Sequence, residues 1–320
     1  MTARTHDLHL PAGSSGSAPY EVDVDPARAG WTYCGLRVLA LDHGHRADLR
    51  TDGNELLVVP LSGGCTVVVD DVTYELRGRE SVFTGVSDTL YVPPGRAVEL
   101  SSADGGRFAL AAASTMRGSS AERGVAYRAA GDVPVELRGA GQASRQVNNF
   151  GTPGVLDAER LIVCEVLTPA GNWSSWPPHK HDEDREGESV LEEIYYFEVA
   201  AGPVPADPGG PDRRGVAYQR VYGHAGADID VLAEVRDGDV VLIPHGWHGP
   251  SMAAPGYDLY YLNVMAGPGA RAWNICDDPA HAWVRAGWDA QLVDSRLPLT
   301  TAPTANTAPS GDTAAKGQPT

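Results

Sequence analysis

The side chains best suited to chemistry in this sequence are three histidines and a glutamate in its second half. His179 and His181 are one residue apart, Glu193 lies in a later apolar run, and His248 follows the turn IPHGW. Residues two apart in an extended strand point to the same face, so His179 and His181 can direct both imidazoles at one ion. Three neutral imidazoles and a carboxylate suit a divalent transition metal, such as Zn, Mn, Fe, Co or Ni, with positions left open for water or substrate.

The choice of carboxylate stays open on this reasoning. Glu192 and Glu193 are adjacent, and alternation along a strand places them on opposite faces. In a simpler interpretation the two histidines are surface residues beside the acidic run 182–188, which we interpret as a solvated loop face without a ligand role. A separate pattern further along the chain favours the metal site, and it consists of Gly238, Pro244, Gly246 and His248.

The runs that must position these residues are short and rich in Val, Ile, Leu and Tyr, with Gly, Pro and Asp clusters between them, as in ELLVVPL, CTVVVDD, RLIVCEVL, EIYYFEV and YDLYYLNV. This pattern is typical of an all-β barrel or sandwich. Helix candidates are confined to residues near 277–290, and residues 201–215 have the composition of an exposed loop. The segments LYVPPGRAVEL and VLIPHGWHGP are organised alike, which indicates an internal duplication. We therefore predict two β-barrel halves on one chain.

The duplication divides the chain into four expected segments. Residues 1–18 are polar and rich in Gly and Ser, residues 298–320 are rich in Pro, Thr and Ala, and both are predicted to be disordered. Residues 19–140 are predicted to form the first half and residues 141–297 the metal-binding second half.

The first half carries its own histidine pair, His43 and His45, with Glu55 further on. No histidine follows at the corresponding later turn, VPPGRAVEL, so a complete ligand set cannot be assembled there. We expect this half to be degenerate, without metal, and to pack against the second barrel or support a homo-oligomer.

Composition restricts the partners. With 25 Lys and Arg against 42 Asp and Glu, the formal charge of −17 makes a nucleic-acid backbone or an anionic membrane an unsuitable partner. An acidic substrate would be repelled at long range, so a local set of Arg or Lys would have to bind its carboxylate. The four cysteines are far apart, and no stretch approaches the ~18 apolar residues of a spanning helix. We expect a soluble, cytoplasmic protein with reduced thiols.

The histidine and glycine patterns resemble the two motifs of cupins. The segments PPHKHD, LEEIYYF, QRVY, GDVVLIPHGWHGP and GYDLYYLNVMAGP resemble the 5-deoxy-glucuronate isomerase family of myo-inositol catabolism, and VVPLSGG and RESVFTGVSDTLYVPPG extend the likeness into the first half. The resemblance implies a bicupin of two jelly-roll barrels. It favours Glu193 over Glu192, which gives as implied metal ligands His179, His181, Glu193 and His248.

The resemblance also implies an activity, the metal-dependent aldose to ketose isomerisation of 5-deoxy-D-glucuronate to 2-deoxy-5-keto-D-gluconate. The substrate would be a small anionic sugar acid, and the cofactor a divalent Zn, Mn or Fe ion. As supporting residues we expect Arg220 to grip the substrate carboxylate, His245 to shuttle a proton and Tyr261 to contact the substrate, with Lys180 expected to point away from the ligand face. Two weaker candidates on the same grounds are Asn263 and Arg271.

Three other functions are compatible with such a site. A related ketol-isomerase acts on the unsaturated uronate from pectin breakdown, although LEEIYYF and YYLNVMAGP fit the inositol branch better. A cupin dioxygenase would use Fe(II) and oxygen at a similar open site. A noncatalytic cupin would bind a sugar acid without turnover.

Overall fold

The β-branched and aromatic runs form strands along most of the chain, as their composition predicts. The computed structural model describes residues 2–115, 123–200 and 215–302. The elements of the chain start and the first half are β1 (Ala3–Arg4), α1 (Thr5–Leu8), β2 (His9–Leu10), β3 (Tyr20–Val24), α2 (Pro26–Ala29), β4 (Cys34–Leu41), β5 (Arg46–Arg50), β6 (Asn54–Val69), β7 (Val72–Arg79), β8 (Thr89–Val92), β9 (Ala97–Ser101), β10 (Gly106–Ser114) and β11 (Ala126–Arg128). The all-β prediction is confirmed.

The second half contains twelve further strands among the described residues and three 3-10 helices. The strands are β12 (Val135–Arg138), β13 (Arg145–Asn148), β14 (Ile162–Thr168), β15 (Trp173–Ser174), β16 (His179–Lys180), β17 (Glu192–Val199), β18 (Ala217–His224), β19 (Ala227–Val235), β20 (Val240–Ile243), β21 (Trp247–Ala253), β22 (Leu259–Ala266) and β23 (Cys276–Asp277). The 3-10 helices are Ala130–Asp132, Gly141–Ala143 and Ala282–Ala290.

Two seven-stranded sheets face each other in the second half. One runs in the order β1-β19-β18-β21-β16-β23, with β15 paired to β21, and the other in the order β12-β13-β14-β22-β17-β20-β2. The buried strand β22 lies between β14 and β17 in the second of these sheets, and all eight of its residues are buried. The space between the two sheets is therefore the interior of the barrel, where functional side chains can be held away from water.

The first half is a single nine-stranded sheet that curls around one long strand. The 16 residues of β6 pair first with β8 and β10 and then with β7 and β9. The change of partners falls at Gly63, which has φ +74° and where a Cβ would lie 2.4 Å from the carbonyl oxygen of Gly105. Glycine allows the strand to bend here because a side chain would meet neighbouring backbone.

Buried carboxylates join the two halves. Glu165 on β14 receives two hydrogen bonds from the Arg79 guanidinium of the first half, at 2.9 and 2.7 Å, and both side chains are at most 2% exposed. In the opposite direction, Glu55 of the first half accepts the amide N–H groups of residues 159, 160 and 161. One apolar core also runs continuously through both halves. The first half is thus a fixed support for the second.

The predicted disorder of residues 1–18 is wrong for the part that forms β1 and β2. Ala3 pairs in parallel with Ile229 on β19, and His9 pairs antiparallel with Val241 on β20. These short strands pair with β19 and β20, and pairing satisfies backbone groups on strands that would otherwise present free edges. Polar composition concealed them, since both strands are only two residues long.

The boundary between the two halves and the start of the C-terminal tail also differ from the prediction. Strand β12, before the expected boundary at residue 140, already pairs with β13 of the second half. At the other end Thr300 is buried, and its backbone N–H and carbonyl bond to the side chain of Gln146. The remaining tail, 303–320, and almost all of the predicted loop at 201–215 lie outside the described residues.

The structure bears on the cysteine and membrane expectations as well. None of the four cysteines forms a disulfide, and Cys34, Cys65 and Cys164 are buried. Within residues 2–115, 123–200 and 215–302, no helix has the length and apolar character needed to cross a bilayer.

The Arg79–Glu165 pair gives a stability prediction. Arg79→Met leaves Glu165 buried without its cation, so we expect the free energy of unfolding to fall by ~3–5 kcal/mol in urea titrations at pH 7. Arg46→Met is the matched control, because Arg46 also bonds a carboxylate, that of Glu99 at 3.1 Å, but is 64% exposed and should cost under ~1 kcal/mol. Equal losses in the two variants would contradict a special role for the buried pair.

Candidate metal centre

Strand pairing brings the predicted ligands together. His179 on β16 lies directly opposite His248 on β21, and His181 follows two residues after His179. Glu193 comes from the facing sheet, on β17, where it is paired with Ile243 of β20. All four side chains are buried, with at most 9% of each residue exposed. The ligands therefore come from both sheets and meet in the barrel interior.

Backbone carbonyls determine which ring nitrogen is free on two of the histidines. Nδ1 of His181 lies 3.1 Å from the carbonyl oxygen of Leu191, and Nδ1 of His248 lies 3.1 Å from that of Gly246. A carbonyl only accepts, so each Nδ1 carries the hydrogen and each neutral ring presents the lone pair of Nε2. This arrangement is the usual way in which an outer hydrogen bond orients a histidine for metal binding.

The two free nitrogens point at one carboxylate oxygen. Nε2 of His181 lies 3.0 Å, and Nε2 of His248 3.2 Å, from Oε2 of Glu193. Nε2 of His248 has no hydrogen-bond partner among the described residues, although it is fully buried. If both rings are neutral, their Nε2 atoms and the Glu193 carboxylate are all hydrogen-bond acceptors and no donor lies between them. Buried acceptors without a donor are costly. The residues therefore fit a cation held between them.

Without a cation, protonated rings of His181 and His248 would supply the positive charge beside Glu193, and the pKa values of the cluster reflect that case. Burial acts to raise the pKa of Glu193, but the hydrogen bond from His181 and the charge of His248 outweigh it and lower the pKa to about 2. Burial acts to lower the pKa of His181, but its bond to Glu193 raises it overall. For His179, burial and then the charges of His248 and His181 lower the pKa well below its usual value. Glu193 stays ionised and His179 neutral, which are the forms that bind metal.

His179 completes the cluster on the cavity side. Its ring centroid lies 4.4 Å from that of His248 and 6.3 Å from that of His181. Potential ligand atoms of His181, Glu193 and His248 lie within 4.8 Å of one another, and His179 lies outside this grouping. On the far side, Oε1 of Glu193 accepts a hydrogen bond from Nδ2 of Asn263 at 2.7 Å. Asn263 thus orients the carboxylate, which gives this predicted residue a positioning role.

The acidic run after the histidines is partly buried, which corrects its interpretation as a solvated face. Lys180 points away from the cluster, as expected, and its Nζ lies 2.7 Å from both Asp182 and Glu188. Asp182 also accepts the backbone N–H of Gly246 at 2.7 Å and contacts His224 at 2.9 Å. This network ties the segment carrying His181 to the turn that precedes His248.

A cavity of about 140 Å³ opens beside His179. It is far larger than the ~10–15 Å³ that one water molecule needs by the same measure. Hydroxyl groups line one part: the Ser175 hydroxyl lies 3.1 Å from that of Tyr195 and 3.3 Å from that of Tyr261. The full lining is Arg138, Arg145, Val147, Val166, Ser175, His179, Tyr195, Tyr261, Asn263, Trp273, Ile275 and Arg285.

Three arginines make another part of this cavity basic. Arg138 on β12 lies directly opposite Arg145 on β13, and Arg285 belongs to the 3-10 helix at 282–290. Like charges directly opposite on neighbouring strands are destabilising, so this arrangement is unusual. Burial lowers the pKa of Arg145 to about 10, and the charges of Arg138 and Arg285 act in the same direction. Sequence reasoning missed these arginines because two of them lie in the stretch taken as the divide between halves.

The three predicted catalytic residues differ in their position relative to the cavity. Tyr261 lines the cavity. Arg220 does not, because alternation along β18 places it on the face opposite to its buried neighbours 219 and 221, where it bonds Asp230 at 2.6 Å. Its position therefore gives no support to its predicted role as the carboxylate grip. His245 is half-buried in the turn before β21 and is not among the cavity residues, so its predicted proton transfer has no support from its position.

The remaining candidates are structural. Arg271 donates to the backbone carbonyls of Leu161, Leu156 and Gly151, and so braces a loop. In the first half, His43 and His45 are exposed. The groupings of potential metal ligands found among the described residues lie in the second half.

The fold and the cluster define the class of protein: this is a bicupin, with a histidine and glutamate cluster in its second barrel. Oxalate decarboxylase of Lactobacillus farciminis has the same overall fold, with a TM-score of 0.59 at 11% identity over 84% of this chain and 88% of that one. More specifically, the chain belongs to the KduI/IolB family, whose profile matches residues 9–284.

Similar proteins cover nearly the whole chain. A 5-deoxy-glucuronate isomerase of Geobacillus kaustophilus is 39% identical over 87% of this chain and 95% of its own length, and that of Bacillus subtilis (strain 168) is 37% identical over 82% and 91%. The crystal structure of an IolB-like protein from Salmonella typhimurium LT2 superimposes with a TM-score of 0.77 at 33% identity, over 87% of this chain and 98% of that one. The suspected family resemblance is confirmed.

Removal of single ligands tests the cluster. We expect His179→Ala and His248→Ala to reduce metal affinity by more than the ~10–100-fold that loss of an outer partner costs, because each removes a direct ligand. Metal content after dialysis, measured by mass spectrometry, would report this. His245→Ala is the matched control, three residues from His248 but outside the cluster, and should keep its metal. If His248→Ala retained full metal, the cluster would not be the site.

Proposed function

We propose that this protein is a 5-deoxy-glucuronate isomerase, which converts the aldose 5-deoxy-D-glucuronate into the ketose 2-deoxy-5-keto-D-gluconate in myo-inositol catabolism. The observation that carries the proposal is a cavity with His179 at one part of its wall and basic side chains at another. A small sugar acid has a carbonyl group and a carboxylate that match these two parts. The names of the relatives at 34–39% identity agree with this substrate.

We also propose that the cluster holds a divalent transition metal, Zn, Mn or Fe, through His179, His181, Glu193 and His248. When bound, such an ion would act as a Lewis acid toward the carbonyl and neighbouring hydroxyl oxygens of the aldose. Hydrogen bonds within the chain orient these ligand side chains. Asn263 holds one oxygen of Glu193, and backbone carbonyls hold the rings of His181 and His248.

The hydroxyl groups of the cavity supply proton donors near the reacting carbons. Burial raises the pKa of both Tyr195 and Tyr261, so each phenol keeps its proton at neutral pH. Tyr261 shares a hydrogen bond with Ser175, and this bond fixes the position of its Oη. We propose that Tyr261 donates to a substrate oxygen while a proton moves between neighbouring carbons.

The apolar part of the cavity wall supports this chemistry in a second way. Trp273 and Ile275 lie beside the arginines. Apolar side chains displace water from this part of the wall and so strengthen interactions with developing charge on the substrate oxygens. For the first half we propose a structural role, since Arg79 and Glu55 anchor it to strands and loops around the site.

The decisive assay incubates protein of known metal content with 5-deoxy-D-glucuronate and follows the ketose by NMR. We expect product with the protein as purified, loss of product after chelation and dialysis, and recovery when Zn, Mn or Fe is returned. His245→Ala should remain active in the same assay. Absence of product from metal-containing protein would overturn the substrate; turnover of the unsaturated uronate from pectin instead would assign the other branch of the family, and oxygen uptake would indicate a dioxygenase.

A further inference from the structure

One buried arginine in the cavity lacks the partner that its neighbours have. Arg138 bonds the carboxylate of Glu136 at 2.7 Å, and Arg285 bonds both oxygens of Asp277. Arg145 has no carboxylate within ion-pair distance in residues 2–115, 123–200 and 215–302. The only hydrogen bond of its guanidinium to these residues runs from Nη1 to the carbonyl oxygen of Ala143, at 3.2 Å.

This imbalance is costly for the folded protein. Arg145 is 9% exposed, and a buried charge without a counter-ion destabilises a protein. Its position opposite Arg138 adds repulsion. Three guanidinium groups and two carboxylates leave one positive charge at this part of the cavity, in a chain whose formal charge is −17. Binding sites accept such a cost where a ligand of opposite charge removes it.

We propose that Arg145 binds the carboxylate of the substrate. The inference rests on the proposed function in that it assumes a sugar acid with its carbonyl end toward His179, which lines the same cavity. The guanidinium has donors left over after the bond to Ala143, and a planar carboxylate can accept two of them side by side. Arg138 and Arg285 contribute positive potential but are already engaged by protein carboxylates.

The packing around Arg145 supports a fixed orientation. Its guanidinium carbon lies 5.9 Å from the ring centroid of Trp288 on the 3-10 helix, which also carries Arg285. At this distance the contact is a cation–π attraction, which favours this position of the guanidinium without using its hydrogen-bond donors. Arg145 is therefore available to bind an anion, and it selects a sugar acid over a neutral sugar of the same size.

Kinetics provide the first test. We expect Arg145→Met to raise KM for 5-deoxy-D-glucuronate by about 10- to 100-fold, the value of a charge-assisted hydrogen bond, with a smaller change in kcat. Arg145→Lys should recover part of this loss because it keeps the charge. Arg220→Met is the matched control: Arg220 also lies on a strand and bonds a carboxylate, but outside the cavity, and its KM should not change.

Binding provides a test that does not need turnover. Calorimetry would compare D-glucuronate with its neutral methyl ester, and we expect the wild-type protein to favour the anion by about tenfold or more. Arg145→Met should lose this preference while its unfolding temperature stays equal or rises, because an unpaired buried charge is removed. A structural role for Arg145 predicts a lower unfolding temperature instead; should Arg145→Met fail to fold, Arg145→Lys replaces it and should show a reduced preference.

The two proposals fail separately. A wild-type protein that does not isomerise 5-deoxy-D-glucuronate, yet prefers the anion through Arg145, overturns the reaction and leaves the carboxylate site standing. A wild-type preference that persists in Arg145→Met, or no preference in the wild-type protein, overturns the role of Arg145 whatever the reaction.

Discussion

Two adjacent glutamates on β17 point in opposite directions because successive side chains of a strand alternate, and both halves of the protein meet at this pair. Glu193 points between the sheets, toward His181 and His248. Glu192 points out and accepts the backbone N–H groups of residues 32, 33 and 34 in the first half. A slip of one residue in the register of β17 would exchange the two and remove both connections at once.

The interior of the second barrel holds an unusual amount of charge, and its distribution follows a simple order. Where the protein supplies both partners, as for Arg79 and Glu165, the pair contributes to the joint between halves. Where the protein supplies buried charge of only one sign, a bound ligand or ion of opposite charge would stabilise it. The Glu193 carboxylate and the free nitrogens of its histidines are acceptors that fit a cation, and the Arg145 guanidinium without a carboxylate partner fits an anion. The two unmatched sites share one cavity wall through His179, and together they describe a ligand with a polar carbonyl end and an acidic end.

The site could be predicted where it depends on short spacings. His179 and His181 lie on a strand and beside it, and the glycine turn places His248 opposite, so local pattern was enough. The choice of Glu193 needed the family resemblance, because periodicity treats neighbouring glutamates alike. Arg220 lies outside the cavity because it alternates along β18 with two buried residues, and the sequence did not show which face of this strand would point inward.

The basic part of the cavity was beyond sequence reasoning for a different reason. Arg138 and Arg145 lie in a stretch with several glycines and little alternation, which has the composition of a linker. Their position depends on antiparallel pairing between β12 and β13 and on a distant 3-10 helix, and these are long-range contacts that composition does not encode. The same holds for the start of the chain, where strands of two residues are too short to have a period.

The place of β1 and β2 also has a consequence for the order of events on the ribosome. Their partners lie at residues 229, 230, 240 and 241, so β1 and β2 can pair only after more than 200 further residues have been synthesised. The first barrel draws its own strands from residues 20–128 and can form while the rest is still emerging. Strands β1 and β2 are therefore expected to pair late in folding. They cover the edges of the second barrel after the first barrel has formed.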